Sequence, residues 1–164
     1  MDGKPSYIDG SRQVGIGTHY RPFITGTTST SGGTLAAGTY LVKLIFQTID
    51  SQGNILYSQE SNQLSLTTTG GTSSIALNLR LSKWYGFCTV QVYMTRVNGS
   101  SLQLRETRVT DVSSANFSYT ITSSPSATAP LIYTTGGVLE HSPPPPALHS
   151  SVHQDRVFVI PADG

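Results

Sequence analysis

Ile75-Ala76-Leu77-Asn78-Leu79-Arg80-Leu81-Ser82 alternates between apolar and polar or small residues without a break. Successive side chains of an extended strand point to opposite faces, so Ile75, Leu77, Leu79 and Leu81 share one dry face. Ala76, Asn78, Arg80 and Ser82 share the wet one. A segment written this way is a strand lying on a core.

The same period recurs on either side. Tyr40, Val42, Leu44 and Phe46 fall on one face, and Leu41, Lys43, Ile45 and Gln47 on the other. Val90, Val92 and Met94 alternate with Gln91, Tyr93 and Thr95, then Leu102 and Leu104 with Gln103 and Arg105. Phe117, Tyr119 and Ile121 close the series. No window repeats apolar residues at helical spacing, and β-branched Thr, Val and Ile are abundant. Asn98-Gly99 predicts a type I′ hairpin turn with two positive φ values. Asp50-Ser51-Gln52-Gly53-Asn54 predicts a second hairpin loop with Gly53 left-handed, and Thr69-Gly70-Gly71-Thr72 a third break. Short strands punctuated this often predict an all-β antiparallel sandwich over residues 35–123, since a one-sided sheet must bury its dry face against another.

The ends read differently. Residues 1–34 are expected to form an N-terminal flanking segment and linker, with the Gly-, Ser- and Thr-rich residues 26–33 as the flexible part. Residues 124–164 are expected to form a Pro-rich linker and the start of a neighbouring β element. Pro143 to Pro146 favour an extended spacer and exclude a central strand. Arg156-Val157-Phe158-Val159-Ile160 reads as a strand that stops almost as it starts, and Tyr7-Ile8-Asp9-Gly10 as the tail of another element. The ends are expected to belong to a neighbouring domain.

Composition narrows the function classes. Of 164 residues 12% are charged and the formal net charge is +1, too little charge for intrinsic disorder. The ten Lys and Arg run from Lys4 to Arg156 without clustering, which argues against a nucleic-acid binder. The single cysteine, Cys88, forms no internal disulfide and is expected to be a buried, inert thiol, fitting a reducing compartment. No signal peptide is visible at Met1-Asp2-Gly3-Lys4-Pro5, and the most apolar window, Tyr40 to Ile49, is too short to span a bilayer. A soluble chain is expected.

Two stretches carry a family resemblance. Gly38-Thr39-Tyr40 through Asp50-Ser51-Gln52-Gly53-Asn54 to Ser58-Gln59-Glu60-Ser61 resembles the last hairpin of a fibronectin type III domain: an aromatic strand, a turn, a Ser-rich return. Val90-Gln91-Val92-Tyr93-Met94-Thr95-Arg96-Val97-Asn98-Gly99 resembles an earlier strand pair of the same domain. Their reversed order is similar to that of a circularly permuted immunoglobulin- or fibronectin III-like sandwich inserted in a larger β-propeller or barrel, as in bacteriophage virion proteins of tail, nozzle and neck type. The flanks, Tyr7-Ile8-Asp9-Gly10 with Arg21-Pro22 and the proline run with Asp155-Arg156-Val157-Phe158-Val159, fit the same pattern. Leu41-Val42-Lys43 departs from it, standing where the family often has further aromatics. The resemblance implies a non-enzymatic structural protein of the phage particle, located in the virion and assembled in the bacterial host cytoplasm. Other virion proteins and copies of itself would be its partners.

Motifs that carry chemistry are scarce. No nucleophile elbow or phosphate-cradling loop is present, and Gly15-Ile16-Gly17 lacks the third glycine of a dinucleotide fingerprint. Glu60, Glu106 and Asp111 are the carboxylates that could converge. His149 and His153, four apart with Asp155 close by, would share a face on a helix and suit a metal, but the prolines before them and the strand after argue against one. No catalytic residue, cofactor or metal is expected. Asn98-Gly99-Ser100 and Asn116-Phe117-Ser118 match a glycosylation sequon that means little without a secretory signal. Trp84, Tyr85 and Phe87 cluster beside Gly86, and two roles stay open for them. Trp84 plugs one end of the sandwich, or the three form a binding face for host-surface glycan or protein, as in an adhesin-like module. For Tyr93 and Tyr133 a place on a wet face without a role is an equal alternative.

Overall fold

The computed structural model describes residues 6–9, 12–15, 21–49, 53, 55–80, 88–110, 116–133, 147–153 and 156–161. The strands are β1 (Ser6–Asp9), β2 (Arg12–Gly15), β3 (Ile24–Ser29), β4 (Gly38–Ile49), β5 (Ile55–Tyr57) and β6 (Leu64–Thr68). They continue as β7 (Ser74–Arg80), β8 (Cys88–Met94), β9 (Gln103–Thr110), β10 (Asn116–Ile121), β11 (Ala147–His153) and β12 (Arg156–Pro161). Every pairing is antiparallel and no helix occurs among the described residues. The architecture is the all-β, two-sheet one that the alternation predicts.

One sheet runs β10-β7-β3; the other runs β5-β4-β8-β9, with β6 also on β4. Between them lie the residues placed on dry faces. Tyr40, Val42, Leu44 and Phe46 from β4 meet Ile75, Leu77 and Leu79 from β7. Val90, Val92 and Met94 from β8 meet Tyr119 and Ile121 from β10. Each such side chain contributes about 1.5–3 kcal/mol over leaving it in water. Ile24 and Leu35 complete the cluster.

Residues 24–29 correct one expectation. They fall within the segment expected to be flanking linker, yet they form β3 and pair with β7 from Ile24↔Leu79 to Ser29↔Ser74. The Thr- and Gly-rich composition looks like linker because only one apolar side chain, Ile24, points inward; the ladder with β7 supplies what side-chain burial does not. The ends carry two further antiparallel pairs, β1 with β2 and β11 with β12.

The Asn98-Gly99 turn is also corrected. Residues 95–102 connect β8 to β9, so the dipeptide does not sit in a two-residue hairpin. Asn98 alone has positive φ, at 54°, inside a turn closed by Gly99 N–H donating to Arg96 O. Its backbone N–H donates to Thr39 O, and its side-chain Oδ1 accepts from Thr39 N–H at 2.9 Å, tying the loop to the start of β4. Gly53, in the β4–β5 connection, has the left-handed φ expected of it, at 87°.

Both sides of the sandwich are clasped by polar groups. At the β3–β6 side, Asn62 binds the backbone of Ile24. At the β9–β10 side, a bulge in β9 sets Arg105 and Glu106 together against Val92. Arg105 Nε then donates to Ser123 O at 2.7 Å and its Nη2 to Ser123 Oγ at 2.9 Å. Tyr119 Oη donates to Glu106 Oε2 at 3.2 Å.

One edge of β4 is shared by two short partners. β6 pairs with Gly38 to Val42 and β5 with Gln47 to Ile49. Across the gap, Ser58 and Ser61 stand in for a ladder. Their N–H groups donate to Phe46 O and Leu44 O. Their hydroxyl oxygens accept from Phe46 N–H at 3.0 Å and Leu44 N–H at 2.9 Å. Gln59 and Glu60 lie between these two serines, and Glu60 Oε1 accepts from Lys43 Nζ at 2.6 Å.

Candidate functional site

The outer face of the β5-β4-β8-β9 sheet is not the wet face that alternation predicts. Ile45 and Tyr93 point away from the main core and are nonetheless buried, forming a second cluster with Tyr57, Leu102, Leu104 and Ile132. Strand register explains the grouping. Ile45 lies opposite Gln91, Gln47 opposite Tyr57, and Tyr93 opposite Leu104.

The cover comes from the chain after β10. Residues 126–133 turn, with Ala129 N–H donating to Ser126 O, and run back beside the start of β9. Leu104 N–H donates to Pro130 O, Ile132 N–H donates to Leu102 O, and Gln103 Nε2 donates to Ala127 O at 3.0 Å. This return occupies part of the edge that β9 would otherwise leave unpaired.

A cleft of about 270 Å³ remains between the return segment and the sheet. Tyr57, Tyr93 and Tyr133 supply its rings, Ile45, Leu104, Pro130 and Leu131 its aliphatic surface, and Gln91 its amide. Tyr133 is 61% exposed and Leu131 59%, so the rim is open to water. At the floor, Tyr93 Oη donates to Gln91 Oε1 at 2.9 Å, and Gln91 Nε2 donates to Gln47 Oε1 at 2.7 Å. Burial, and then the neighbouring Tyr57, push the Tyr93 hydroxyl above tyrosine's ordinary value near 10, so it stays protonated through neutral pH.

This lining has no carboxylate, imidazole, thiol or cation. What it offers is shape, ring faces and hydrogen bonds, which is the equipment of binding.

The residues singled out from sequence fare differently. Trp84, Tyr85 and Phe87 lie outside the described residues, as do Asp111, Asp155 and the proline run. Cys88 opens β8, and its side chain lies outside them too. Glu60 and Glu106 do not converge: Glu60 sits past one edge of β4, while Glu106 is on β9, with β4 and β8 between. His149 and His153 belong to the strand β11, so the helical spacing that would aim both at one metal is not realised. Among the described residues no group of three or more His, Cys, Asp or Glu could hold a metal ion, and no helix is long and apolar enough to cross a membrane. The tyrosine cleft was not found from sequence; its one trace was Ile45 and Tyr93 standing at wet-face positions. Comparison with family models, curated proteins and solved structures finds no match.

Proposed function

We propose that this chain is a non-enzymatic structural component of a phage particle, in the tail, nozzle or neck, acting through protein–protein packing in an oligomeric assembly. The reading begins from the resemblance of the Gly38–Ser61 and Val90–Gly99 stretches to a permuted fibronectin III-like domain. The observation that carries it further is the Ile49–Ile55 pair. These residues lie directly opposite each other at the end of β4 and the start of β5, and are 63% and 51% exposed. Paired isoleucines left in water forgo roughly 25 cal/mol per Å² of apolar surface, which a neighbouring subunit would recover. Other virion proteins and copies of this chain are the partners this reading names, with no nucleic acid among them.

The test is labelling of phage particles that carry the chain with an antibody against residues 35–123. Signal at the tail or neck is the expected result. Particles that stay unlabelled, both intact and after partial disruption, would remove the virion reading.

The cleft favours a second reading, an adhesin-like module that binds host-surface glycan or protein. Its contact surface would then be the tyrosine-lined face rather than the Trp84 loop.

A further inference from the structure

We propose that the cleft between Tyr93 and Tyr133 binds one neutral pyranose ring of a glycan. The inference rests on the host-contact reading and names its ligand class, while standing apart from where in a particle the module sits.

Size sets the first limit. Pockets for drug-sized molecules start at about 300 Å³, and one water occupies about 30 Å³ of liquid. A cleft of about 270 Å³ therefore takes a single small ring and its hydroxyls rather than a run of residues.

Charge sets the second. Among the described residues no acidic or basic side chain lines the cleft. Lys43, which points to the same side of β4 as Ile45, is held by Glu60. A phosphate, a carboxylate or an ammonium group would enter without a counter-charge, and such ligands are recognised by charge-assisted bonds.

The lining matches the two surfaces of a pyranose. Its C–H face carries slight positive charge and sits well on the negative face of an aromatic ring, here Tyr93 from below and Tyr133 from the rim. Its hydroxyl edge needs donors and acceptors. Gln91 has two amide hydrogens, and Gln47 takes one, which leaves the other for a ligand. Tyr93 Oη donates to Gln91 and keeps lone pairs to accept with. The Tyr93–Gln91–Gln47 chain fixes these groups before binding, which lowers the entropy lost on capture.

The covered β9 edge argues against a peptide added on that side. An extended peptide would gain most by adding to a free edge beside the cleft. Next to Tyr57 the edge of β4 is taken by β5, and Leu102 to Leu104 are taken by the return segment. On the Tyr133 side of the cleft no ladder is open among the described residues, so recognition there falls to rings and side-chain amides.

The test uses the 164-residue chain in solution. Saturation-transfer NMR and calorimetry are run against methyl glucoside, galactoside, mannoside and N-acetylglucosaminide at millimolar concentration. At least one is expected to bind, with amide shifts at Gln91, Tyr93, Leu104 and Tyr133. Tyr133→Ala, at an exposed position, should weaken that binding about tenfold with an unchanged melting temperature. Gln91→Leu, which keeps shape but removes the amide, should weaken it too. Absence of transfer from all four glycosides would overturn the proposal, and so would binding that survives Tyr133→Ala. A polyproline peptide that shifts the same amides where the glycosides do not would make the cleft a peptide groove. None of these results bears on particle labelling, so the sugar proposal and the virion reading fail separately.

Discussion

The carboxamide of Asn62 closes on both backbone atoms of Ile24: Ile24 N–H donates to Asn62 Oδ1 at 2.8 Å, and Asn62 Nδ2 donates to Ile24 O at 3.0 Å. One side chain thus does for the first residue of β3 what a neighbouring strand would do, and it links the two sheets on that side.

Asn62→Ala should therefore cost about 1–3 kcal/mol, because it leaves an N–H and a C=O of a buried residue without partners. Asn62→Asp keeps the acceptor and loses the donor, and should fall between. Urea unfolding midpoints at neutral pH check the order parent, Asp, Ala.

Leu79→Asp should abolish folding. Leu79 is 1% exposed and sits between Ile24 and Phe117 in register, so the substitution buries an unpaired charge in the middle of the core. A loss of roughly 4 kcal/mol or more is expected. A cooperative melt at the parent temperature would show that β7 faces the other way.

Gly33→Ala tests a close approach of main chain. A Cβ on Gly33 would stand 2.3 Å from Ser73 O and 2.8 Å from Thr122 O, and both are backbone atoms. The segment is pinned on both sides, by Leu35 N–H donating to Ser73 O and Thr34 N–H donating to Thr122 O. Relief requires moving strand ends, so a loss of about 1–3 kcal/mol is expected, read as a lower melting temperature.

Tyr93 gives a pH dependence with a definite sign. Its folded hydroxyl ionises above the ordinary tyrosine range, chiefly because it is buried, while the unfolded residue ionises near pH 10. Its contribution is complete below pH 10 and is lost as pH rises from there through the folded value. Tyr93→Phe should cost about 1 kcal/mol at neutral pH through the bond to Gln91, and should lose less stability than the parent as pH rises above tyrosine's ordinary value of about 10. Denaturant titrations at successive pH values separate the two effects.

The inner faces were legible because burial on one side of a strand writes period two into the chain. Tyr40 to Phe46, Ile75 to Leu79 and Val90 to Met94 all carry it. β3 was not legible, since Thr25, Thr27, Thr28 and Ser29 are exposed and its stability comes from hydrogen bonds to β7. The Asn98-Gly99 turn misled because the Asn98 side chain has a distant partner, Thr39, which no local signal announces. The cleft was hidden for a related reason. Tyr57, Tyr93 and Tyr133 are far apart in sequence and meet only because the chain after β10 turns back along β9.

The serine-bridged gap beside β4 has a consequence for how the fold tolerates change. Because Ser58 and Ser61 grip Phe46 and Leu44 independently of the turn at Gly53, a residue inserted near that turn would slide β5 while the β6 ladder kept its partners. The break works as a firewall. The length of the β5 side can change, and the half of the edge that seals the core would not register the edit.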